Sequence, residues 1–226
     1  MPTSSFMTPL ITVFLKDLRS ELRTRYALNA LIMFVVTTIS IVLFAIGNEN
    51  VSVEILSGVL WIIIFFSTMS GLSRTFVSEE ERGTVMTLQL MTRPLTVYFG
   101  KLLFNFVLLF AMNVFTVALY LILISTFTIK SYLIFTLTMF LGTCGLASAS
   151  TIIAAIIAKA NTKGTLYPVL SFPILLPLLL TVINGTQLAV DGAALRESLG
   201  VFQVLIAYAT VITTVSYLLF PFIWRE

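Results

Sequence analysis

The sequence predicts an all-α integral membrane protein, a single bundle of six transmembrane helices. Hydrophobic residues make up 58% of the 226 positions and charged residues only 10%, whereas a soluble domain carries about 25% charged residues. The apolar residues form runs of helical length, and a β-barrel would show alternating segments of about ten residues instead. A net charge of +3 on such a chain gives no reason to expect a nucleic-acid partner, and we assign none.

An amphipathic helix is predicted before the first span, over residues 8–25. Lys16, Arg19 and Arg23 fall on one side of it. At 100° per residue, six apolar side chains share an arc of about 140° on the other side: Leu10, Ile11, Phe14, Leu15, Leu18 and Leu22. This pattern is typical of a helix that lies in the membrane interface with its apolar face toward lipid, so membrane lipid is an expected partner.

Six apolar runs are long enough to cross a bilayer. They cover residues 27–46, 55–73, 102–124, 132–158, 166–183 and 201–222. Eleven of the 13 Lys and Arg residues lie in the N-terminal segment, the C-terminal tail and the loops on their side, and only Lys130 and Arg196 lie on the other side. The excess of positive charge predicts that both termini are cytoplasmic.

The polar content of the spans restricts the mechanism. No Asp, Glu, Lys or Arg lies within a span core, which disfavours a proton- or ion-driven transporter because such proteins use ionisable groups at membrane depth. Asn105 and Asn113 in the third span are predicted to form hydrogen bonds between helices, and the small residues of the fourth span to allow close helix packing.

Three prolines, Pro168, Pro173 and Pro177, interrupt the fifth span. Each removes a backbone N–H and crowds the preceding turn, so this helix is expected to be kinked or partly unwound. We interpret it as a hinge that deforms during a functional cycle. A static kink is the alternative.

The segment 77–101, VSEEERGTVMTLQLMTRPLTVYFGK, is the most informative stretch of the chain. Ser78 and Glu81 have the spacing of a capping box, which predicts a helix start at this point. Glu79, Glu80 and Glu81 would then lie in the first turn, where carboxylates interact favourably with the helix dipole.

The rest of this segment is unusually apolar for a cytoplasmic loop. Gly83 permits the close approach of another surface or separates two short helices, and Pro94 ends the helical run because the residue before a proline avoids helical geometry. Between them lie Val85, Met86, Leu88, Leu90 and Met91. We interpret the segment as a short helix held by a partner outside the chain, and a helix lying on the bilayer is the alternative.

Several motifs are missing from the sequence. It contains no G-x-x-x-x-G-K-[ST], so it does not bind ATP through a P-loop. Without histidine, it has neither a His-based metal site nor a Ser–His or Cys–His catalytic pair. Its single cysteine excludes an internal disulfide. A chain of this kind, with no energy source of its own, is expected to be one part of a larger assembly.

Short sequence motifs resemble a known family. The second span opens with Gly58-Val59-Leu60-Trp61, and Phe76 precedes the acidic run 79–81. Further residues follow at the spacing that is typical of this family: Gly83, Leu88, Leu90, Pro94 and Lys101, then Leu141-Gly142-Thr143, Lys163-Gly164, and the two prolines between Phe172 and Leu178. The chain therefore resembles the type-2 ABC transporter permeases and, more narrowly, is similar to CcmB, the permease family of system I cytochrome c maturation.

The resemblance implies a permease in the bacterial inner membrane that works with an ATPase subunit, CcmA, and the haem-handling protein CcmC, in delivering haem to the chaperone CcmE. It leaves room for a second permease copy. The residues expected to couple the chain to the ATPase are Ser78, Glu79, Glu80, Glu81, Gly83, Leu88, Leu90 and Pro94. ATP would be bound by the partner, and haem by CcmC or CcmE, with no cofactor on this chain.

Two mechanisms stay open: the permease moves haem, or it transmits ATP-driven motion that frees haem-loaded CcmE. Haem iron is usually bound by His, Met, Cys or Tyr, and histidine is absent. The outer side offers only Lys130 and Arg196 to the haem propionates. Because the chain offers few axial ligands for haem iron and few cations for the propionates, the sequence favours mechanical coupling over haem binding. An ABC-2 permease for a lipid, drug or glycan and a non-transporting scaffold are the alternative functions.

Overall fold

The computed structural model describes residues 4–47, 49, 51–81, 83–159 and 163–225, without the side chains of residues 4–6, 26, 27, 163–166, 168 and 225. In this part of the chain there are helices and no strand, and six stretches are long and apolar enough to cross a membrane. The helices are α1 (Ser4–Thr24), α2 (Tyr26–Ile46), α3 (Val53–Leu72), α4 (Val77–Glu81), α5 (Val85–Met91), α6 (Pro94–Leu123), α7 (Tyr132–Ala158), α8 (Lys163–Asp191) and α9 (Leu199–Arg225). The predicted fold class is confirmed.

The chain turns sharply between α1 and α2 at Arg25, whose φ of 52° is left-handed. Glu21 lies at this turn. Its backbone carbonyl accepts a hydrogen bond from the Arg25 amide, and its carboxylate accepts one from the Leu28 amide in the first turn of α2, at 2.9 Å. A carboxylate in this position satisfies an amide that the helix start leaves unpaired and favours the positive end of the helix dipole.

The α7 helix is the centre of the bundle and packs against α3, α6, α8 and α9. Its glycines allow this close approach: a Cβ on Gly142 would lie 2.7 Å from Cη2 of Trp61, and one on Gly145 would lie 2.7 Å from Cδ1 of Leu178. The predicted small-residue packing surface of the fourth span is confirmed. In lipid, such surfaces let backbones approach and gain dispersion contacts.

Polar side chains join the helices within this apolar core. The Asn105 amide donates to the Thr151 hydroxyl at 2.8 Å, and the Asn113 amide donates to the Thr143 hydroxyl at 2.9 Å. Both bonds connect α6 to α7, so the predicted role of the two asparagines is confirmed. Each bond satisfies a polar group that would otherwise be unpaired in an apolar environment.

Two spanning helices extend about two helical turns beyond the predicted spans. The third spanning helix, α6, begins at Pro94 and not at residue 102, and the fifth, α8, continues to Asp191 and not to residue 183. The end of α8 is polar in sequence, yet the Thr186 hydroxyl accepts a buried hydrogen bond from the Trp61 indole. A hydropathy criterion therefore predicts a loop for the last turns of α8, although these turns pack inside the bundle.

One end of the bundle, here named the basic end, holds α1, α4, α5, Lys159 at the end of α7 and the end of α9. Contacts along the chain place these parts together: the Lys101 ammonium of α6 lies 3.1 Å from the Asp17 carboxylate of α1, and the Lys159 ammonium lies 3.3 Å from the Glu80 carboxylate of α4. The described helix ends thus agree with the predicted division of positive charge. That this end faces the cytoplasm stays a prediction.

The α1 helix packs on α6 by a face that its sequence did not predict. Val13 is buried, and a Cβ on Gly100 would lie 2.8 Å from the Val13 Cβ and 3.1 Å from the Leu10 carbonyl oxygen. Of the predicted apolar arc, Phe14 and Leu18 pack against the core, whereas others, such as Leu22, are exposed. Only part of the arc is available to lipid, and membrane contact stays a prediction.

Replacing Gly142 with Ala is expected to destabilise the protein by about 1–3 kcal/mol, because overpacking of a tight core costs this much. Trp61 cannot move aside freely, since it is fully buried and its indole is hydrogen-bonded. Gly58→Ala is the matched control: nothing lies within 4 Å of its Cβ position, and alanine in a helix is more stable than glycine by up to about 1 kcal/mol. Thermal unfolding in detergent measures both variants, and equal unfolding midpoints would contradict this packing argument.

Candidate coupling site at the basic end

The α5 helix exposes large apolar side chains. Met86, Leu90 and Met91 are 72%, 84% and 76% exposed, and no residue of α5 is buried. The opposite face, with Val85 and Leu88, is half-buried and packs against the core. Leu88 and Leu90, both predicted to couple to an ATPase, therefore lie on different faces. Leu90 is available to a partner, and Leu88 holds α5 against the bundle.

Gly83 separates α4 from α5. Its φ is +66°, a left-handed conformation that favours glycine, and nothing lies within 4 Å of its Cβ position. Of the two predicted roles, the separation of two short helices is confirmed, and it follows from backbone geometry and not from crowding. The segment before Pro94 thus contains two short helices, α4 and α5.

Pro94 belongs to α6 and not to the end of α5. The α5 helix ends at Met91, Thr92 and Arg93 are extended, and Pro94 is the first residue of α6. This arrangement agrees with the predicted effect of proline on the preceding residue and with the preference of proline for the first helical position. The segment 77–101 therefore consists of α4, α5 and the first turns of a spanning helix.

The predicted capping box at Ser78 is wrong. Because α4 already begins at Val77, the Ser78 amide bonds to the Arg74 carbonyl at 3.0 Å. The Glu81 carboxylate pairs with the Arg74 guanidinium instead of turning back to the Ser78 amide. A helical turn that precedes α4 thus satisfies the amide that the box would have satisfied.

The Glu79 carboxylate, 7% exposed as a residue, joins three elements. Its Oε1 accepts hydrogen bonds from the ammonium groups of Lys16 in α1 and Lys101 in α6, the latter at 3.2 Å. Its Oε2 accepts a hydrogen bond from the hydroxyl of Thr84, the residue before α5. Charge-assisted bonds of this kind are shorter and stronger than neutral ones. Glu79, which was predicted to interact with the dipole of its own helix, is thus also bonded to Lys16, Thr84 and Lys101.

Lys101 is the most buried charge of this network, with 1% of its surface exposed. Its ammonium donates to the Asp17 carboxylate at 3.1 Å, to the Thr75 carbonyl at 2.9 Å and to Glu79. It also lies 5.1 Å from the centre of the Phe76 ring, a cation–π distance. All three ammonium donors have partners, as a buried ammonium requires.

Lys16 closes the cluster at its solvent side. Burial alone would lower the pKa of its ammonium, but the neighbouring Asp17 carboxylate and the hydrogen bond to Glu79 outweigh burial and hold the pKa above its ordinary value. The four charges, Lys16, Asp17, Glu79 and Lys101, balance each other. This cluster was not predicted from the sequence. The signal that could have indicated it is Lys101, a charged residue directly before the apolar run 102–124.

Further contacts attach the segment to α7 and α9. The Glu80 carboxylate lies 3.3 Å from the Lys159 ammonium at the end of α7. The Gln89 amide donates to the backbone carbonyl of Trp224 in α9, and Phe76 packs edge-on against the Trp224 ring at 6.1 Å. A cleft of about 660 Å³ between α1, α4, α5 and α6 is lined by the charged cluster and by apolar residues such as Leu88 and Phe104.

The basic end thus combines an exposed apolar face on α5 with ion pairs that join α4 to the neighbouring helices. Comparison with family models gives a match to the family described as "CcmB protein" over residues 8–224. The chain belongs to the CcmB family. A comparison with curated proteins finds no match.

Membership in the CcmB family makes this chain a multi-pass membrane protein, the permease subunit of an ABC-type complex in cytochrome c maturation and not itself an ATPase. The family therefore implies partner subunits. Among the residues described, no group of three or more Cys, Asp or Glu side chains is arranged to hold a metal ion.

The proline-rich span of this CcmB-family chain is continuous. The α8 helix runs from Lys163 to Asp191 without an unwound stretch, so the predicted partial unwinding is wrong. Pro173 and Pro177 lie on an exposed face, and the side chain of Pro168 is outside the described residues. The Tyr208 hydroxyl of α9 donates to the Ile174 carbonyl between the two prolines at 2.8 Å. The hinge stays a prediction.

Proposed function

We propose that this CcmB-family chain transmits ATP-driven motion from a separate ATPase subunit, CcmA, to haem delivery by CcmC and CcmE. The observation that carries this proposal is the apolar face of α5, where Met86, Leu90 and Met91 are each more than 70% exposed. An amphipathic helix that lays such a face into a groove is a common mode of protein recognition. The positive-inside rule predicts this end in the cytoplasm, where an ATPase would meet it.

The contacts of α4 support mechanical coupling in particular. A docking helix can drive a membrane protein only if it is bonded to the helices that must move. Here Glu79 is bonded to α1 and α6, and Glu80 is paired with α7. Interlocked groups of this kind move as discrete units, because packed and hydrogen-bonded contacts do not deform continuously.

A photo-crosslinking amino acid at position 90 tests the docking. We expect it to crosslink to the co-expressed ATPase subunit, while the same residue at position 195, an exposed leucine near Lys130 and Arg196 at the opposite end, does not. Crosslinks from position 90 to lipid alone would support the alternative, a helix that lies on the bilayer. Crosslinks to the ATPase from both positions would show that the contact is not specific to α5.

We expect the subunit alone not to bind haem as an axially ligated cofactor. The chain has no histidine, Cys144 is only half-exposed within the tightly packed α7, and the Tyr208 hydroxyl is engaged with Ile174. Titration of the purified subunit with haem, followed by absorption, should show no saturable Soret shift. A stoichiometric shift that disappears in a Met, Tyr or Cys144 variant would instead favour direct haem export.

The proline-rich stretch of α8 is expected to bend during the ATPase cycle. Pro173 and Pro177 cannot donate to the carbonyls one turn earlier, so local bending breaks fewer hydrogen bonds there than elsewhere in the helix. Spin labels at Leu170 and Leu180, two exposed positions that flank the prolines, report the distance across them in a Cys144→Ala background. Identical distance distributions in the nucleotide-free and ATP-bound complexes would leave a static kink.

A further inference from the structure

The α5 helix packs on the bundle through two half-buried side chains, Val85 and Leu88. It fully buries no residue, and among the described residues its side-chain hydrogen bond to another helix comes from Gln89. Its N-terminal side is attached differently: the Thr84 amide bonds to the Glu79 carbonyl at 3.0 Å, and the Thr84 hydroxyl bonds to the Glu79 carboxylate. Among the described residues, Glu79 is therefore the charged connection between the start of α5 and the bundle.

The Thr84 hydroxyl does not cap its own helix. Thr84 occupies the residue before α5, where a Thr side chain commonly accepts from an amide of the first turn, yet no such cap is formed. Its hydroxyl is turned to Glu79 instead. The same carboxylate accepts from Lys101 of α6 and Lys16 of α1. One buried group thus connects the docking helix with two other helices.

The far side of this connection is rigid. Lys101 is almost fully buried, and its ammonium has three hydrogen-bond acceptors on α1, α4 and the turn after α3. Gly100, the residue before Lys101, is packed so closely on α1 that a Cβ would lie 2.8 Å from the Val13 Cβ. Displacement of Glu79 therefore has to move α1 and α6 with it or break buried charge-assisted bonds.

We infer that Glu79 is a positioning residue that ties the docking helix α5 to α1 and α6, and that it acts within the protein and not by contact with the ATPase. This inference rests on the proposed function, since it assumes that a partner moves α5. It assigns different tasks to neighbouring residues: Leu90 and Met86 bind the partner, and the Glu79 carboxylate transmits its motion.

The test compares Glu79→Gln with the wild-type complex of permease and ATPase. Gln preserves the shape but not the charge. We expect the ATPase subunit still to copurify, while its stimulation by the permease and the yield of mature cytochrome c fall by about tenfold or more, as befits the loss of charge-assisted bonds. Glu197→Gln is the control, an exposed glutamate at the opposite end that should behave as wild type.

A distance measurement separates transmission from simple loss of structure. Spin labels at Thr87 in α5 and Leu103 in α6, both exposed, are placed in a Cys144→Ala background. We expect their separation to be the same in the nucleotide-free and ATP-bound wild-type complexes, because the two helices move together. In Glu79→Gln it should change on ATP binding. A separation that stays constant in Glu79→Gln, with normal stimulation, would overturn the inference.

Thr84→Val keeps the inference testable if Glu79→Gln does not accumulate. It removes only the hydroxyl and leaves the buried ion pairs intact, so the fold should be kept and coupling lost, and Thr84→Ser should restore coupling. Normal coupling in Thr84→Val would overturn the inference while the proposed function stands. If the wild-type permease neither binds nor stimulates the ATPase, it is the proposed function that fails.

Discussion

Met86→Glu combined with Leu90→Glu should abolish both copurification of the ATPase subunit and its stimulation by the permease. The two side chains are 72% and 84% exposed in the free chain, and burial of each in a partner groove would contribute about 1.5–3 kcal/mol. Their loss, together with two carboxylates placed in an apolar groove, should weaken binding by about a hundredfold or more. Affinity purification and ATP hydrolysis rates measure the effect.

The fold of this double variant should be unchanged, because neither side chain is buried in the chain itself. Met86→Leu with Leu90→Met keeps the apolar face and should bind normally. Leu195→Glu, which introduces the same charge on an exposed leucine at the opposite end, should also bind normally. Retention of the ATPase by the double glutamate variant would rule out α5 as the docking helix.

Lys101→Met should destabilise the basic end by about 3–5 kcal/mol, the cost of breaking a buried ion pair by removing one partner. Lys101 is 1% exposed, and its ammonium pairs with the carboxylates of both Asp17 and Glu79. With methionine in its place, the two carboxylates share only Lys16 and lose part of their hydrogen bonding. The expected result is a lower midpoint of thermal unfolding and release of α1 from α6, which limited proteolysis would detect.

Lys159→Met is the control for this stability measurement. Lys159 also pairs with a glutamate of α4, at 3.3 Å, but its side chain and that of Glu80 are 31% and 29% exposed, and pairs near the surface contribute about 0–1 kcal/mol. The two substitutions remove the same chemical group from the same end of the bundle. Equal unfolding midpoints for Lys101→Met and Lys159→Met would show that burial of the cluster contributes no extra stability.

Much of the candidate site could be predicted from the segment 77–101, because its signals are local. The separation of two short helices at Gly83 and the end of a helical run before Pro94 depend on each residue's own backbone preferences. The difference in exposure between Leu88 and Leu90 could not be predicted, since both are leucines in one apolar run. Only the packing of α5 on the bundle shows that Leu88 is half-buried and Leu90 84% exposed.

The capping box at Ser78 shows a different limit. The spacing of Ser78 and Glu81 is correct for such a box, but Arg74 supplies both a carbonyl for the Ser78 amide and a guanidinium for the Glu81 carboxylate. A turn that continues from the preceding helix satisfies the groups that the motif would have satisfied. Local propensity is a weak prior where the neighbouring segment competes for the same hydrogen bonds.

A membrane bundle with six spans and a separate amphipathic first helix follows from the amino-acid sequence, since the length and apolarity of each run are local properties that set its place in a bilayer. Which charged side chains pair with each other depends on the packing of the helices. Lys101 bonds to partners 84 and 22 residues away along the chain, and no periodicity relates such positions. The burial of Lys101 became tolerable only when folding placed two carboxylates beside it, because a buried charge requires a partner.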